Sequence, residues 1–139
     1  MRMLWTLLLV VSGVSASAQT PTPTPTPNAA ELFEACAARD ENPVSGAFCE
    51  GFILGIYHGM MQGAIHTIRA QTDAEIPPEI LREKATKILE ICIPPATSNT
   101  ELIQKVTSVL TAQQDLTDQD AYEMVLNGLR YFYWCPNDR

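Results

Sequence analysis

Apolar residues recur at intervals of three and four from about residue 29 onward, which is the spacing of amphipathic helices and not of strands. Asn28 can cap a first short helix, and Pro78 suits the first turn of another. Capping-box patterns at Ser98 to Glu101 and at Thr117 to Asp120 predict two more helices. We therefore predict an all-α bundle of about five helices. The predicted buried positions are Leu32, Phe33, Cys36, Leu81, Ala85, Ile88, Leu89, Cys92, Leu102, Val106, Val109, Leu110, Ala121, Val125, Leu129 and Phe132.

The second predicted helix, from about Phe48 to Arg69, carries a glycine at every fourth position, so that one of its faces has almost no side chains. These glycines are Gly51, Gly55, Gly59 and Gly63. Glycine costs about 1 kcal/mol relative to alanine in a helix interior, so we expect another element to pack closely in this groove. A membrane span is the alternative, because small residues at this spacing also join lipid-buried helices. It is disfavoured by the polar residues inside the apolar run, which are Glu50, His58, Gln62 and His66.

The first 28 residues are not typical of a folded domain. Residues 1–18 combine a positive start, an apolar stretch and the small-residue site Ala16-Ser17-Ala18, as in a cleaved secretory signal peptide. The apolar stretch is too short for a transmembrane anchor. Residues 19–28 contain a Thr-Pro repeat, which predicts an extended, disordered linker or stalk. We therefore assign residues 29–139 to a single helical domain.

Export changes the interpretation of the four cysteines, Cys36, Cys49, Cys92 and Cys135, because exported proteins pass through an oxidising compartment. An even number of cysteines predicts two disulfides, and the long gaps without a CxxC pair disfavour a metal site. Antiparallel helices should bring all four cysteines to one end of the bundle, where any of the three pairings is possible. The expected fold is thus a small disulfide-bonded helical bundle.

Candidate chemistry is sparse. The sequence has no nucleophile elbow, no zinc-protease motif, no phosphate loop and no dinucleotide fingerprint, so we expect neither an enzyme nor a bound cofactor. Removing Arg2 with the signal from the 9 Lys+Arg leaves 8 against 16 Asp+Glu, a net charge of −8. A surface of this sign disfavours nucleic acid as a partner.

Several of these residues together resemble the Rap/Tai family. The matching features are the export signal, the block Cys49-Glu50-Gly51-Phe52-Ile53-Leu54-Gly55, the later Cys92-Ile93-Pro94 and the ending Tyr131-Phe132-Tyr133-Trp134-Cys135-Pro136. The resemblance implies a periplasmic immunity protein, often dimeric, which binds a cell-wall amidase toxin of type VI secretion and blocks its active-site cleft. Family members often carry an acidic residue where His58 stands. The Thr-Pro tether and the helix from Ile76 to Ile91 are longer than usual.

A projecting connection between helices is the natural part to enter an enzyme cleft. We predict that the connection containing Gln113, Gln114, Asp115 and Asp118 contacts the toxin, with the 70–77 connection as second choice. Two other hypotheses stay open. One is a periplasmic acid-stress chaperone, which would expose apolar surface when its carboxylates are protonated. The other is a carrier of a small apolar ligand, which would need an enclosed cavity.

Overall fold

The computed structural model describes residues 26–72, 74–112, 116 and 119–136, and the predicted signal peptide lies outside these residues. The described chain contains five helices and no strand. The all-α prediction is therefore confirmed. The helices are α1 (Ala29–Ala37), α2 (Pro43–Ala70), α3 (Pro78–Leu89), α4 (Asn99–Ala112) and α5 (Ala121–Tyr133).

Side-chain caps fix where four of the helices begin. At the start of α4, where a capping box was predicted, Glu101 N–H donates to Ser98 Oγ at 3.1 Å. The predicted Asn28 cap is present and is a full capping box: Glu31 N–H donates to Asn28 Oδ1 at 2.9 Å, and Asn28 N–H donates to the Glu31 carboxylate at 3.0 Å. Asn42 accepts from the Val44 N–H at 2.9 Å, and α2 therefore begins at Pro43, five residues before the predicted start. Asp120 caps α5, because its carboxylate accepts from the Tyr122 N–H at 2.7 Å.

The main core lies where α1, α4, α5 and the first half of α2 meet. Its fully buried side chains include Leu32, Ile53, Val106 and Leu129, each at 0% exposure. The chain just before α1 joins the start of α5, because Ala121 N–H donates to the Pro27 carbonyl at 3.3 Å and Asn28 forms a β-bridge with Asp120. The last residues of the predicted linker are thus part of this packed unit. The buried residues of the main core are Ala29, Leu32, Cys49, Ile53, Ile91, Leu102, Ile103, Val106, Leu110, Ala121, Met124, Val125, Leu126, Leu129 and Tyr133.

A second, smaller hydrophobic cluster joins the C-terminal half of α2 to α3, and we call this unit the α2–α3 hairpin. Its buried residues are Met61, Ala64, Ile65, Ile68, Leu81 and Ala85. Most of α3 packs against α2, and only its last turn reaches α5, where Arg130 Nε–H donates to the Leu89 carbonyl at 3.4 Å. Glu90, with φ of 58°, ends α3 in the left-handed region. The chain then returns to the main core at Ile91.

Two disulfides are present, as predicted, and they pair Cys36 with Cys49 and Cys92 with Cys135. They do not lie in one layer. Cys92 shares a groove with Gln62, which is 13 residues beyond Cys49 and thus about 20 Å further along α2 at 1.5 Å per residue. The reason is helix length: α2 has 28 residues and α3 only 12, so α3 ends beside the middle of α2.

Two side chains predicted to be buried lie at the surface. Ile88 is 62% exposed and Phe132 is 37% exposed. Ile88 is exposed because the buried face of α3 is narrow, with Leu81 and Ala85 as its buried residues in the hairpin cluster, and Ile88 borders an open groove beside α5. Phe132 lies beside exposed Tyr131, with the two rings at 5.0 Å. Ile88 lines one of the grooves described below.

Candidate functional site

The glycine stripe, defined as Gly51, Gly55, Gly59 and Gly63, lies on the outer face of α2. A Cβ atom built at any of these positions would meet no described atom within 4 Å. The core-facing side of α2 is instead formed by residues such as Ile53 and Ile65. No described element of this chain therefore packs in the stripe, and the role predicted for it, a helix-packing groove, stays a prediction.

Aromatic and apolar side chains border the glycine stripe. Phe48 is 41% exposed, and its ring lies 5.8 Å from that of Phe52. At the other end, Gly63 borders an open groove of about 290 Å³ between α2, the end of α3 and α5. Tyr122 and Ile88 help to line this groove. The outer face of α2 thus offers a flat glycine surface with apolar margins, a form suited to close contact with another protein.

A larger concavity lies on the other side of the hairpin, and we call it the α2–α3 groove. Its volume is about 700 Å³. Its lining residues are Gln62, Ile65, Arg69, Pro78, Glu79, Leu81, Arg82, Glu83, Thr86, Lys87, Cys92 and Ile93. Lys87 Nζ lies 2.8 Å from the Glu83 carboxylate, and this hydrogen bond holds the pKa of Glu83 below its usual value. Sequence reasoning missed this groove, because residues 62–69 and 78–93 come together only through the hairpin geometry.

The four residues predicted to contact the toxin, Gln113, Gln114, Asp115 and Asp118, lie outside the described residues. The structure does describe how their connection is attached. Leu116 packs against the main core, and Gln119 N–H donates to the Leu116 carbonyl at 3.3 Å. The connection between α4 and α5 is thereby anchored at its single described apolar residue.

The end of α5 carries a second concentration of exposed aromatic rings. Tyr131 is 78% exposed and Trp134 is 62% exposed. Beneath them the Lys105 ammonium lies 5.0 Å from the centre of the Tyr133 ring and 2.9 Å from the Glu101 carboxylate. Burial raises the pKa of the Tyr133 phenol, and the hydrogen bond to Glu101 raises the pKa of Lys105. These contacts fix α4 against α5 and leave the outer rings available to solvent.

The described residues contain no arrangement typical of catalysis or metal binding. No group of three or more His, Cys, Asp or Glu side chains among them could hold a metal ion. His58 and His66 are exposed on α2, and all four cysteines are in disulfides, which leaves no thiol nucleophile in the described chain. Within the same residues, no helix combines the length and the apolar character that crossing a bilayer requires.

Comparison with known proteins gives one finding. A family model described as Rap1a immunity proteins matches residues 28–135, which include all five helices and all four cysteines. No curated protein and no solved structure matches the chain.

Proposed function

The chain belongs to the Rap1a immunity protein family, and from this premise we propose that it neutralises a cell-wall amidase toxin delivered by type VI secretion. It binds the toxin in the periplasm after its signal peptide is cleaved, and it blocks the active-site cleft without catalysing a reaction. The observation that carries this proposal is the family match over the whole helical domain, from residue 28 to residue 135.

The structure supports a blocking role in physical terms. Two disulfides and a fully buried main core make a rigid body, so little conformational entropy is lost when it docks. The surface is acidic, with 16 Asp+Glu against 9 Lys+Arg in the whole chain, which favours association with a basic partner. We assign the contact with the cleft to the α4–α5 connection, through Gln113, Gln114, Asp115 and Asp118.

The experiment begins with the genes next to this one in its genome. A neighbouring gene should encode a secreted peptidoglycan amidase, and the purified enzyme should lose its activity on cell-wall fragments at an equimolar ratio of this protein. Co-elution of the two proteins on a sizing column measures binding independently of activity. If no neighbouring secreted hydrolase is bound or inhibited, the proposal is wrong.

Variants locate the contact. Asp115→Ala together with Asp118→Ala should weaken inhibition, because both carboxylates lie in the α4–α5 connection that we propose to enter the cleft. The matched control is Glu34→Ala with Glu41→Ala, which removes the same charge at exposed positions in and just after α1. Equal loss of inhibition in both pairs would show that net charge, and not the connection, is responsible.

The acid-stress chaperone is the second candidate function, and the described structure gives it little support. A chaperone of this kind must lose tertiary structure when carboxylates are protonated. No charged side chain is buried among the described residues, so protonation there would neutralise no buried carboxylate. Near-ultraviolet circular dichroism at pH 3, together with an assay of client aggregation, separates the two functions.

We include a second copy of the chain as a partner, bound through the glycine stripe. With no described atom within 4 Å of a Cβ at the four glycines, a second α2 could approach the bare backbone closely. A two-fold axis would place the same stripe on both sides of the contact. Sedimentation of the wild-type protein and of Gly55→Leu tests this, because a leucine in the stripe should block the dimer.

A further inference from the structure

Charge is distributed unevenly between the α2–α3 groove and the rest of the protein. The groove is lined by three cationic residues, Arg69, Arg82 and Lys87, and by two acidic ones, Glu79 and Glu83. The chain as a whole carries 9 Lys+Arg against 16 Asp+Glu. A third of all cations therefore border one concavity of an otherwise acidic protein, and this concentration favours an anionic ligand there.

Two of the three cations have their charge available. Lys87 and Glu83 form an ion pair at 2.8 Å, so their charges largely cancel. Among the described residues, neither Arg69 nor Arg82 forms an ion pair, and both side chains are exposed at the groove. Glu79 lies in the first turn of α3, where the helix dipole favours its charge. Planar guanidinium groups bind carboxylates in two-pronged fashion.

The remaining lining has the character of a peptide site. Ile65, Leu81 and Ile93 supply apolar surface, and the Gln62 amide can both donate to and accept from a peptide bond. The volume of about 700 Å³ is within the range of small-molecule and short-peptide sites. Cys92 also lines the groove, and its disulfide to Cys135 holds this wall in place before any ligand arrives.

We propose that the α2–α3 groove binds an extended acidic segment of a partner protein, in which carboxylates alternate with apolar side chains. The carboxylates bind Arg69 and Arg82, and the apolar side chains contact Ile65, Leu81 and Ile93. This site is separate from the α4–α5 connection and goes beyond the toxin-blocking function. The peptide-binding experiment below tests this site independently of the toxin.

The test uses a synthetic probe, the fluorescently labelled peptide Leu-Asp-Leu-Asp-Leu with blocked ends, and the analogue in which both Asp residues are Asn. Anisotropy should show that the acidic probe binds the wild-type protein and that the Asn analogue binds at least about tenfold more weakly. Added salt should weaken binding of the acidic probe. Amide NMR should place the shifts on residues 62–69 and 78–93.

Three variants localise the binding. Arg69→Gln and Arg82→Gln should each weaken binding of the acidic probe by about tenfold. Lys84→Gln is the matched control, because Lys84 is exposed two residues from Arg82 on the same helix but does not line the groove. Melting curves check that all three variants are folded.

Each other outcome overturns the proposal. The groove is not an acidic-peptide site if the probe fails to bind, if the Asn analogue binds equally well, or if Lys84→Gln weakens binding as much as Arg82→Gln. Amide shifts that map elsewhere would place the site on another surface. Shifts in the groove that depend on protein concentration alone would identify it as a contact between copies of this chain.

Discussion

The main core and the α2–α3 hairpin differ in how they are enclosed. Four helices surround the main core, whereas the hairpin cluster is formed by α2 and α3 only. Cys36–Cys49 ties two helices that already pack on the main core, and Cys92–Cys135 ties the end of α3 to the end of α5. The first bridge lies within the main core, while the second reinforces the junction at which the end of α3 rejoins the main core through buried Ile91.

Because of this difference, the main core supplies most of the stability, and the hairpin supplies surface for binding. The main core can keep the domain folded, and α3 is free to present an arginine-bearing groove because so few of its side chains are committed to packing. Elements with few buried contacts open locally at lower cost than the core does. The hairpin should therefore be the part of the domain most sensitive to its bridge.

The largest expected effect comes from removing the second bridge. Loop-closure entropy for a separation of 43 residues predicts that Cys92→Ser with Cys135→Ser lowers the free energy of unfolding by about 4 kcal/mol. The matched pair Cys36→Ser with Cys49→Ser, at a separation of 13, should lose about 3 kcal/mol. Urea titration measures both values.

Hydrogen exchange then sharpens the comparison. In the Cys92/Cys135 variant, amides of α3 should exchange faster than those of α4 and α5. In the Cys36/Cys49 variant, the exchange rates of the α3 amides should rank among those of the other helices as they do in the wild type. Uniform loss of protection in both variants would show that the two regions unfold as one unit, and the distinction drawn above would be wrong.

The next largest effect is expected inside the hairpin cluster. Leu81 is 1% exposed, and Leu81→Ala should cost about 3 kcal/mol through lost burial and the cavity left behind. Because the cluster is small, exchange should accelerate mainly in α3. Leu129→Ala, at a fully buried position in the main core, is the control and should accelerate exchange in every helix. Equal patterns in the two variants would contradict the separation.

A gain in stability is expected from the glycine stripe. Nothing described lies within 4 Å of a Cβ at Gly55 or Gly59, so Gly55→Ala with Gly59→Ala should stabilise the monomer by about 2 kcal/mol in thermal melts. Gly46→Ala is the control on the same helix. Its Cβ would lie 2.9 Å from the Arg39 carbonyl oxygen, so this variant should be destabilised.

The same double variant tests what the glycine stripe is for. If a second copy packs there, added methyl groups should weaken self-association in sedimentation experiments while the monomer becomes more stable. A monomer that is more stable and associates as before would show that the contact between copies lies elsewhere.

Much of this fold could be predicted from periodicity and caps. Five helices follow from the apolar spacing, and the Asn28 cap is present as expected. The failures have a common physical cause, which is that periodicity gives the apolar face of a helix but not what covers it. Ile88 has the right spacing to be buried, yet it borders an open groove between α3 and α5 and is 62% exposed.

The glycines show the same limit, because their spacing does not reveal which element packs against them. No described atom packs against the regular stripe on α2, so its predicted role stays untested, whereas the isolated Gly128 lies close to a neighbour. A Cβ at Gly128 would be 3.4 Å from the Val106 Cα atom, where α5 crosses α4. The cysteine pairing and the α2–α3 groove were likewise out of reach, because both depend on the unequal lengths of α2 and α3.

The smallest expected effect concerns the ion pair between Lys87 and Glu83 on α3. The hydrogen bond from Lys87 lowers the pKa of Glu83 in the folded state, so this contribution is present above the unfolded pKa near 4.5 and is lost as pH falls through the lower folded value. Glu83→Gln should therefore lower Tm slightly at pH 7, and the difference from wild type should vanish under strong acid. Because both side chains are more than half exposed, at 58% and 64%, added salt should shrink the difference. A second i,i+4 pair, Lys105 with Glu101 on α4, is also partly exposed and should contribute as little. A wild-type Tm that falls steeply between pH 5 and pH 3 would therefore have to come from elsewhere in the chain. A steep fall would show that the acid-sensitive region lies outside the hairpin, and it would support the chaperone hypothesis.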